Sequence, residues 1–133
     1  MLPKVGIGED MAEKRGRLLV IEDHKELRNA LVRNLEDLDY EVATAEDEKQ
    51  GLNKAKEIKP DLVFCDLKHT GLPCLDMLKA LKAELPETKV IVTGIETTRE
   101  EGLRFGACFC LSNPISRSDL IAALRHCLGH SFE

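Results

Sequence analysis

The chain has 133 residues, of which 43% are hydrophobic and 32% are charged, and this size and composition predict one globular domain with its own core. The formal net charge is −5, with no Trp and a single Tyr, so we expect no direct nucleic-acid binding, which needs basic and aromatic surfaces. No apolar run is long enough to span a bilayer and residues 1–16 carry no signal-peptide core, so we expect a cytoplasmic protein without membrane association.

The first half of the chain alternates between strand and helix patterns. Residues 1–16 show no periodicity and predict a flexible N-terminal arm. The apolar run at 18–21 predicts a strand, and a helical stripe follows it at Leu27, Ala30, Leu31, Leu35 and Leu38. Residues 42–45 predict a second strand, and Asp47 is the expected N-cap of a second helix that Pro60 ends.

The second half repeats this alternation. A third apolar run, residues 62–65, is closed by Asp66 and followed by a loop to Pro73 and a third helix. The remaining predicted elements are a strand at 90–92, a short helix around 99–105 capped by Gly106, a strand at 108–111, and a last helix that Ser116 and Asp119 open and that ends near Leu128. Residues 129–133 are the predicted C-terminal tail.

These elements make five βα units between residues 17 and 128. Strands that are apolar along their whole length and alternate with helices are typical of a parallel sheet covered on both faces. The predicted fold class is therefore α/β, with a five-stranded doubly wound parallel sheet. In such a fold, ligands bind at the carboxyl ends of the strands, near the point where the strand order reverses.

The five cysteines are an odd number, and Cys65 and Cys110 lie within apolar runs. In a cytoplasmic protein this pattern predicts buried free thiols rather than a disulfide framework. Cys108 and Cys110 are two residues apart in the predicted fifth strand and would therefore share one face of it.

Polar residues end three of the predicted strands. Glu22 and Asp23 follow the first, Asp66 ends the third and Thr93 follows the fourth. Two carboxylates about 4 Å apart repel by roughly 4 kcal/mol at an effective dielectric near 20, and a hard cation such as Mg²⁺ relieves this repulsion. A metal beside a carboxylate and a hydroxyl is an arrangement for phosphoryl transfer, with Asp66 as the nucleophile.

Each acid has a structural alternative when it is taken alone. Any of them can be a solvated loop residue, and Asp23 can be the N-cap of the helix that begins near Lys25. These alternatives are weaker for the set as a whole, because all of the acids follow strands that are predicted to end at one edge of the sheet.

Several segments resemble, in order and spacing, the receiver domains of bacterial two-component response regulators, which have the flavodoxin-like (βα)5 fold. Residues 18–24 (LLVIEDH) are similar to the segment with the metal-binding acidic pair, and residues 60–67 (PDLVFCDL) to the one ending in the phosphoacceptor aspartate. Residues 90–94 (VIVTG) place Thr93 at the hydroxyl switch position. The remaining matches are Gly71 in the loop after Asp66, Gly106-Ala107 before the fifth strand and Pro114 after it.

The resemblance implies a phosphorelay function. A histidine kinase or a histidine phosphotransfer protein would pass a phosphoryl group to Asp66, and Mg²⁺ would be held by Glu22, Asp23, Asp66 and the backbone carbonyl of Lys68. Thr93 would turn toward the phosphoryl group. The surface formed by the helix at 99–105, the fifth strand and the last helix would then change shape, for an output domain, an effector protein or a second copy of the chain.

The sequence departs from the family pattern near the fifth strand. Asn113 stands where receivers carry a lysine before the proline, and Cys110 stands at the switching aromatic position. An amide donates a hydrogen bond worth about 1 kcal/mol, against roughly 1.5–3 kcal/mol for a charged donor, so switching would be weakened. An alternative function is therefore a pseudo-receiver, a phosphorylation-independent interaction module.

An enzymatic function is disfavoured. An aspartate-nucleophile phosphatase would need a second aspartate two residues after the nucleophile, and this position is occupied by Lys68. The chain also has no Gly-rich phosphate loop of a nucleotide-binding enzyme.

Overall fold

A computed structural model describes residues 14–66, 72–94, 103 and 106–132 of the chain. The strands in this part of the chain are β1 (Arg17–Ile21), β2 (Glu41–Ala45), β3 (Leu62–Asp66), β4 (Lys89–Gly94) and β5 (Phe109–Ser112). The helices are α1 (Lys25–Asp37), α2 (Glu48–Ile58), α3 (Leu72–Glu84) and α4 (Arg117–Leu128). None of these described helices is both long and apolar enough to cross a membrane.

The five strands form one parallel sheet in the order β2-β1-β3-β4-β5. This confirms the predicted doubly wound α/β fold. The strand order reverses direction at β1, because β2 lies on one side of it and β3 on the other. The carboxyl ends of β1 and β3 are therefore neighbours at the switch point, where a doubly wound sheet binds its ligands.

Two apolar cores cover the two faces of the sheet. Alternate residues of β1 divide between them: Leu19 and Ile21 join a cluster with residues of α2 and α3, while Leu18 and Val20 join a cluster with residues of α1 and α4. Each fully buried aliphatic side chain stabilises the fold by about 1.5–3 kcal/mol relative to exposure. The strand interiors are consequently fixed by packing on both faces, and their polar ends are positioned by that packing.

Helix α2 approaches β1 closely at Gly51, a buried residue of the helix. A Cβ atom at this position would lie 2.7 Å from Ile21 Cγ1, which is closer than carbon atoms pack. Glycine therefore lets α2 lie directly over the last residue of β1, immediately before the predicted acidic pair.

Most of the predicted helix ends are confirmed. Asp47 Oδ1 accepts a hydrogen bond from Gln50 N at 2.8 Å, and Ser116 Oγ accepts one from Asp119 N at 3.0 Å. Gly106 has a positive φ of 111° and its N–H donates to Leu103 O at 3.2 Å. The remainder of the short helix expected at 99–105 lies outside the described residues, as does the expected loop between Asp66 and Leu72.

Two predicted boundaries are shifted. Helix α3 begins at Leu72, so Pro73 lies in its first turn and not in the preceding loop. A proline is tolerated there because the first N–H groups of a helix have no acceptor within it. Strand β5 begins at Phe109, one residue later than expected, which places Cys108 just before the strand.

The prediction of free thiols in place of a disulfide framework is wrong, although Cys110 is not disulfide-bonded, as predicted. Cys108 and Cys127 form a disulfide, with 6.0 Å between their Cα atoms, and Cys65 is disulfide-bonded as well. Cys108 and Cys110 also do not share a face. Cys110 packs against the core under α2 and α3, and Cys108 against the core under α1 and α4. Pairing between distant residues depends on how helices are placed over the sheet, which local sequence patterns do not encode.

Both ends of the described chain pack around Tyr40, the fully buried residue before β2. The Tyr40 hydroxyl is hydrogen-bonded to His130 Nδ1 at 2.7 Å, and the two rings stack with centroids 5.7 Å apart. Arg15 lies 4.5 Å from the centroid of the Phe132 ring and donates to Ser131 O at 2.7 Å. Residues 15 and 130–132 therefore cover the part of the α1–α4 core that contains Tyr40.

The buried hydroxyl of Tyr40 predicts a measurable titration. Burial raises the pKa of Tyr40 to about 12, with a smaller opposing effect of Arg15 and a smaller reinforcing effect of Asp61. Tyr40 is the single tyrosine, and the chain has no tryptophan, so near-ultraviolet phenolate absorbance follows this residue alone. We expect a midpoint near pH 12 for the folded protein, against about pH 10 in concentrated urea.

Burial of the neutral phenol stabilises the fold fully below pH 10, and this contribution is lost as the pH rises toward 12. The Tyr40→Phe variant should show a shallower decline of the free energy of unfolding over the same range. A folded-state midpoint at pH 10 would contradict the buried position of this hydroxyl.

Candidate functional site

Three carboxylates meet at the carboxyl ends of β1 and β3. One oxygen atom from each of Glu22, Asp23 and Asp66 lies within 4.8 Å of the other two. The parallel register explains this convergence, because Ile21 is paired with Cys65 and the next residue of each strand continues toward the same edge. The structure thus brings together the acids that the sequence predicts to meet.

Glu22 is held by its own backbone and by its neighbours. It is buried, its N–H donates to Ala45 O at 3.1 Å, and its Oε2 accepts a hydrogen bond from His24 N at 3.0 Å. Arg28 Nη1 donates to Glu22 O at 3.0 Å. These bonds fix the turn between β1 and α1 and therefore fix where the acidic pair points.

The N-cap of α1 is His24, and not Asp23. His24 Nδ1 accepts a hydrogen bond from Leu27 N at 3.3 Å, while the exposed Asp23 contributes its oxygen to the acidic cluster. The capping alternative for Asp23 is therefore wrong. The roles of His24 and Arg28 were missed from sequence, because histidine ranks low as an N-cap and only the His24–Leu27 spacing gives a signal.

Thr93 lies beside Asp66 on the neighbouring strand. The two residues are paired in the register of β3 with β4, and paired residues of parallel strands project from the same face. Thr93 is 5% exposed, Asp66 is partly buried, and the Oδ2 atom of Asp66 is shielded from solvent. A carboxylate and a hydroxyl are therefore placed side by side at the end of the sheet.

Asn113 faces the same region. A cavity of about 110 Å³ lies between α1 and the strand ends, and Glu22, Thr93 and Asn113 are among its lining residues. Cys110 does not line this cavity in the described part of the chain, because it packs on the opposite face of the sheet. Lys68 lies outside the described residues, so its expected carbonyl ligand stays a prediction.

The acidic cluster fits a small divalent cation. Opposite ligands of an octahedral Mg²⁺ are about 4.2 Å apart, and the three carboxylate oxygens span 4.8 Å at most. Small side-chain rotations would bring them to this spacing. The hard oxygen donors exclude a preference for a soft metal, and without a cation the three charges repel one another.

The fold and the acidic site define a class of protein: a flavodoxin-like α/β domain with a carboxylate cluster at the switch point of its sheet. Residues 18–125 match the family described as "Response regulator receiver domain". The chain therefore belongs to this family and is the receiver domain of a two-component response regulator. As such it is a signalling module rather than a catalytic enzyme.

Its relatives and structural neighbours agree with this assignment. The chain is 31% identical over 117 residues to the response regulator GacA of Pseudomonas viridiflava, covering 82% of this chain and 53% of the relative. It is 31% identical over 114 residues to the phosphate regulon transcriptional regulatory protein PhoB of Klebsiella pneumoniae, covering 82% of this chain and 50% of that protein. The chain thus spans about half the length of these curated relatives.

Among solved structures, the receiver domain of NtrX from Brucella abortus is 28% identical with a TM-score of 0.77, covering 86% of this chain and 99% of that one. A putative response regulator from Chloroflexus aurantiacus is similar in fold, with a TM-score of 0.79 at 20% identity, covering 88% of this chain and 100% of that chain.

The acidic cluster predicts that Mg²⁺ stabilises the protein. At ten times its dissociation constant, a cation that binds only the folded state should raise the free energy of unfolding by about 1.4 kcal/mol. Asp66→Asn should lose most of this gain, and in Mg²⁺-free buffer it should be more stable than the wild type by about 1 kcal/mol through relief of repulsion. Urea unfolding with and without MgCl2, at constant ionic strength, measures both effects.

Asp37→Asn is the matched control, because this exposed residue ends α1 about 18 Å from the start of the helix beside the cluster. Its response to Mg²⁺ should equal that of the wild type. Equal responses of Asp66→Asn and the wild type would argue against a cation at this cluster.

Proposed function

We propose that the chain accepts a phosphoryl group on Asp66 in a two-component phosphorelay. The observation that supports this function most strongly is the meeting of Asp66 with Glu22, Asp23 and Thr93 at the switch point of the sheet. Membership of the receiver family gives this arrangement its chemical meaning.

In the proposed reaction, an oxygen of Asp66 attacks the phosphorus atom of a phosphohistidine on the donor protein. The new O–P bond forms as the P–N bond breaks, and the histidine, protonated on its other ring nitrogen, leaves as the neutral imidazole. Mg²⁺ held by Glu22, Asp23, Asp66 and the Lys68 carbonyl would offset the negative charge of the phosphoryl oxygens. The hydrogen bonds to Glu22 keep the acidic pair in place and need no rearrangement at this step.

Thr93 is the proposed sensor of the phosphoryl group. Its hydroxyl lies on the strand paired with Asp66 and can donate a hydrogen bond to a phosphoryl oxygen. Asn113, on the far side of the shared cavity, would supply a neutral donor where the family has a charged lysine. Cys110, at the position of the switching aromatic residue, lies on the opposite face and would transmit little of this change.

The partners of the whole protein follow from the family. The phosphoryl donor would be a histidine kinase or a histidine phosphotransfer protein, and the receiver unit would comprise residues 17–128. Because the curated relatives are about twice as long as the matched region, an output domain or effector protein is the proposed target, with a homodimer as another arrangement.

The second candidate function is a pseudo-receiver that binds its partner without phosphorylation, and Asn113 is the observation that favours it. Moving a two-state equilibrium from 1:99 to 99:1 needs about 5.5 kcal/mol of differential binding. Replacing a charge-assisted hydrogen bond by a neutral one removes roughly 0.5–2 kcal/mol of this.

Incubation with Mg²⁺ and acetyl phosphate tests the proposed function. We expect intact-mass measurements to show one added phosphoryl group on the wild-type protein and on Asp37→Asn, and none on Asp66→Asn. Rapid quenching at several times distinguishes the lack of a reaction from fast hydrolysis of the product. A folded wild-type protein without an adduct at any time would support the pseudo-receiver instead.

Asn113→Lys should strengthen the coupling between phosphorylation and the β5–α4 region. The new ammonium group can make a charge-assisted hydrogen bond with a phosphoryl oxygen, which is about 0.5–2 kcal/mol stronger than that of the amide. Amide hydrogen exchange of residues 109–128, with and without acetyl phosphate, should therefore change more in this variant than in the wild type. Asn113→Gln controls for side-chain length. If all three proteins respond equally, the charge at this position does not set the coupling.

A further inference from the structure

The disulfide between Cys108 and Cys127 joins the start of β5 to the end of α4. Cys108 immediately precedes β5, and Cys127 lies in the last turn of α4. The two cysteines are 19 positions apart in the sequence, and the loop between them contains all of β5, the Asn113–Pro114 turn and nearly all of α4. The disulfide therefore fixes the carboxyl end of α4 to the sheet, at the edge opposite the acidic cluster.

The same end of α4 carries the chain terminus that covers Tyr40. Gly129 caps the helix in the left-handed conformation, and His130 and Phe132 pack against the tyrosine directly afterwards. The disulfide thus lies directly before the residues that contact Tyr40. A change at Cys127 would act both on the position of α4 and on the packing of residues 130–132.

A surface cavity adjoins this disulfide at Cys127, which is 7% exposed. The cavity has a volume of about 640 Å³ at the amino end of the sheet, and Cys127 is one of its lining residues. Cys108 is itself partly exposed. Small-molecule sites typically have volumes of about 300–1,000 Å³, so the cavity has room for a ligand as large as a tripeptide.

Charged residues of both signs line this cavity. Lys59 and Lys89 line it together with three acids, Asp61, Glu84 and Glu87. Glutathione carries two carboxylates and one ammonium group together with its thiol, so the two lysines can pair with its carboxylates and one of the acids with its ammonium group. No other described cavity adjoins a disulfide.

We propose that Cys108 and Cys127 form a reversible redox site that exchanges with glutathione through this cavity. On reduction, a glutathione thiolate attacks Cys127 Sγ, the Cys108–Cys127 bond breaks, and Cys108 leaves as a thiolate that takes up a proton. A second glutathione thiolate then attacks the glutathione sulfur of the mixed disulfide and releases Cys127 as a thiol. Two protein thiols and one glutathione disulfide result, and oxidation is the reverse.

The proposal does not require phosphorylation of Asp66, because the disulfide and the acidic cluster lie at opposite edges of the sheet. Its test is a titration of the full chain in buffers with a series of glutathione to glutathione-disulfide ratios. Thiols are blocked with one alkylating reagent, disulfides are then reduced and blocked with a second, and peptides containing Cys108 and Cys127 are quantified by mass. We expect both cysteines to change together, from reduced to oxidised, within the range of ratios.

Cys110→Ser is the matched control, because Cys110 takes no part in this disulfide and lies on the other face of the sheet. It should leave the redox midpoint of Cys108 and Cys127 unchanged. In Cys108→Ser, Cys127 has no partner for this disulfide, so it should be found as a thiol or as a mixed disulfide with glutathione. A pair that stays oxidised in excess reduced glutathione would be a purely structural disulfide, and a pair that stays reduced in excess glutathione disulfide would not be a redox site. Either result overturns the proposal.

Thermal unfolding gives a second measurement. Closing a loop of this length should raise the melting temperature of the oxidised protein by about 10 °C over that of the reduced protein. Cys65 is also disulfide-bonded, so its reduction can shift the melting temperature as well. The double variant Cys108→Ala/Cys127→Ala measures the part of the shift that comes from outside the Cys108–Cys127 disulfide. An undiminished shift in the double variant would contradict a stabilising link between β5 and α4.

Discussion

The parallel register of β1 and β3 is the constraint on which the site depends. It brings Glu22, Asp23 and Asp66 within 4.8 Å of one another, an arrangement that costs free energy unless a cation or a proton offsets the charge. The apolar interiors of these strands, buried on both faces, hold the acids in this arrangement. The cluster is consequently a place where binding of a cation or a change of charge alters the free energy of the whole domain.

The two faces of the sheet carry different functional residues. The face under α1 and α4 carries Thr93, the cavity shared with Asn113, and the Cys108–Cys127 link at its lower end. The face under α2 and α3 carries Cys65 and Cys110 in a continuous apolar layer. In the proposed function, a change at Asp66 would reach α4 through the face they share, whereas Cys110 in β5 packs on the other face.

This division gives the departures from the receiver pattern a physical meaning. A neutral amide at residue 113 leaves the acidic cluster without the positive charge that a lysine would supply there, so in the proposed function the cation would have to compensate the negative charge. The link between β5 and α4 meanwhile restrains the region that would move on switching. The proposed chemistry at the acidic cluster and the disulfide at the opposite edge of the sheet are thus linked through β5 and α4.

The sequence by itself determined the elements, the fold class and the convergence of the acids. Apolar periodicity and capping residues are local properties, and parallel strands bring their carboxyl ends to one edge whatever the details of packing. Only the tertiary structure decided the pairing of Cys108 with Cys127, the opposite faces of Cys108 and Cys110, and the closure of residues 130–132 over Tyr40. These contacts join residues far apart in the chain, and they depend on how the helices are placed over the sheet. Cys108 lies just before β5, so its side chain does not follow the alternation of the strand.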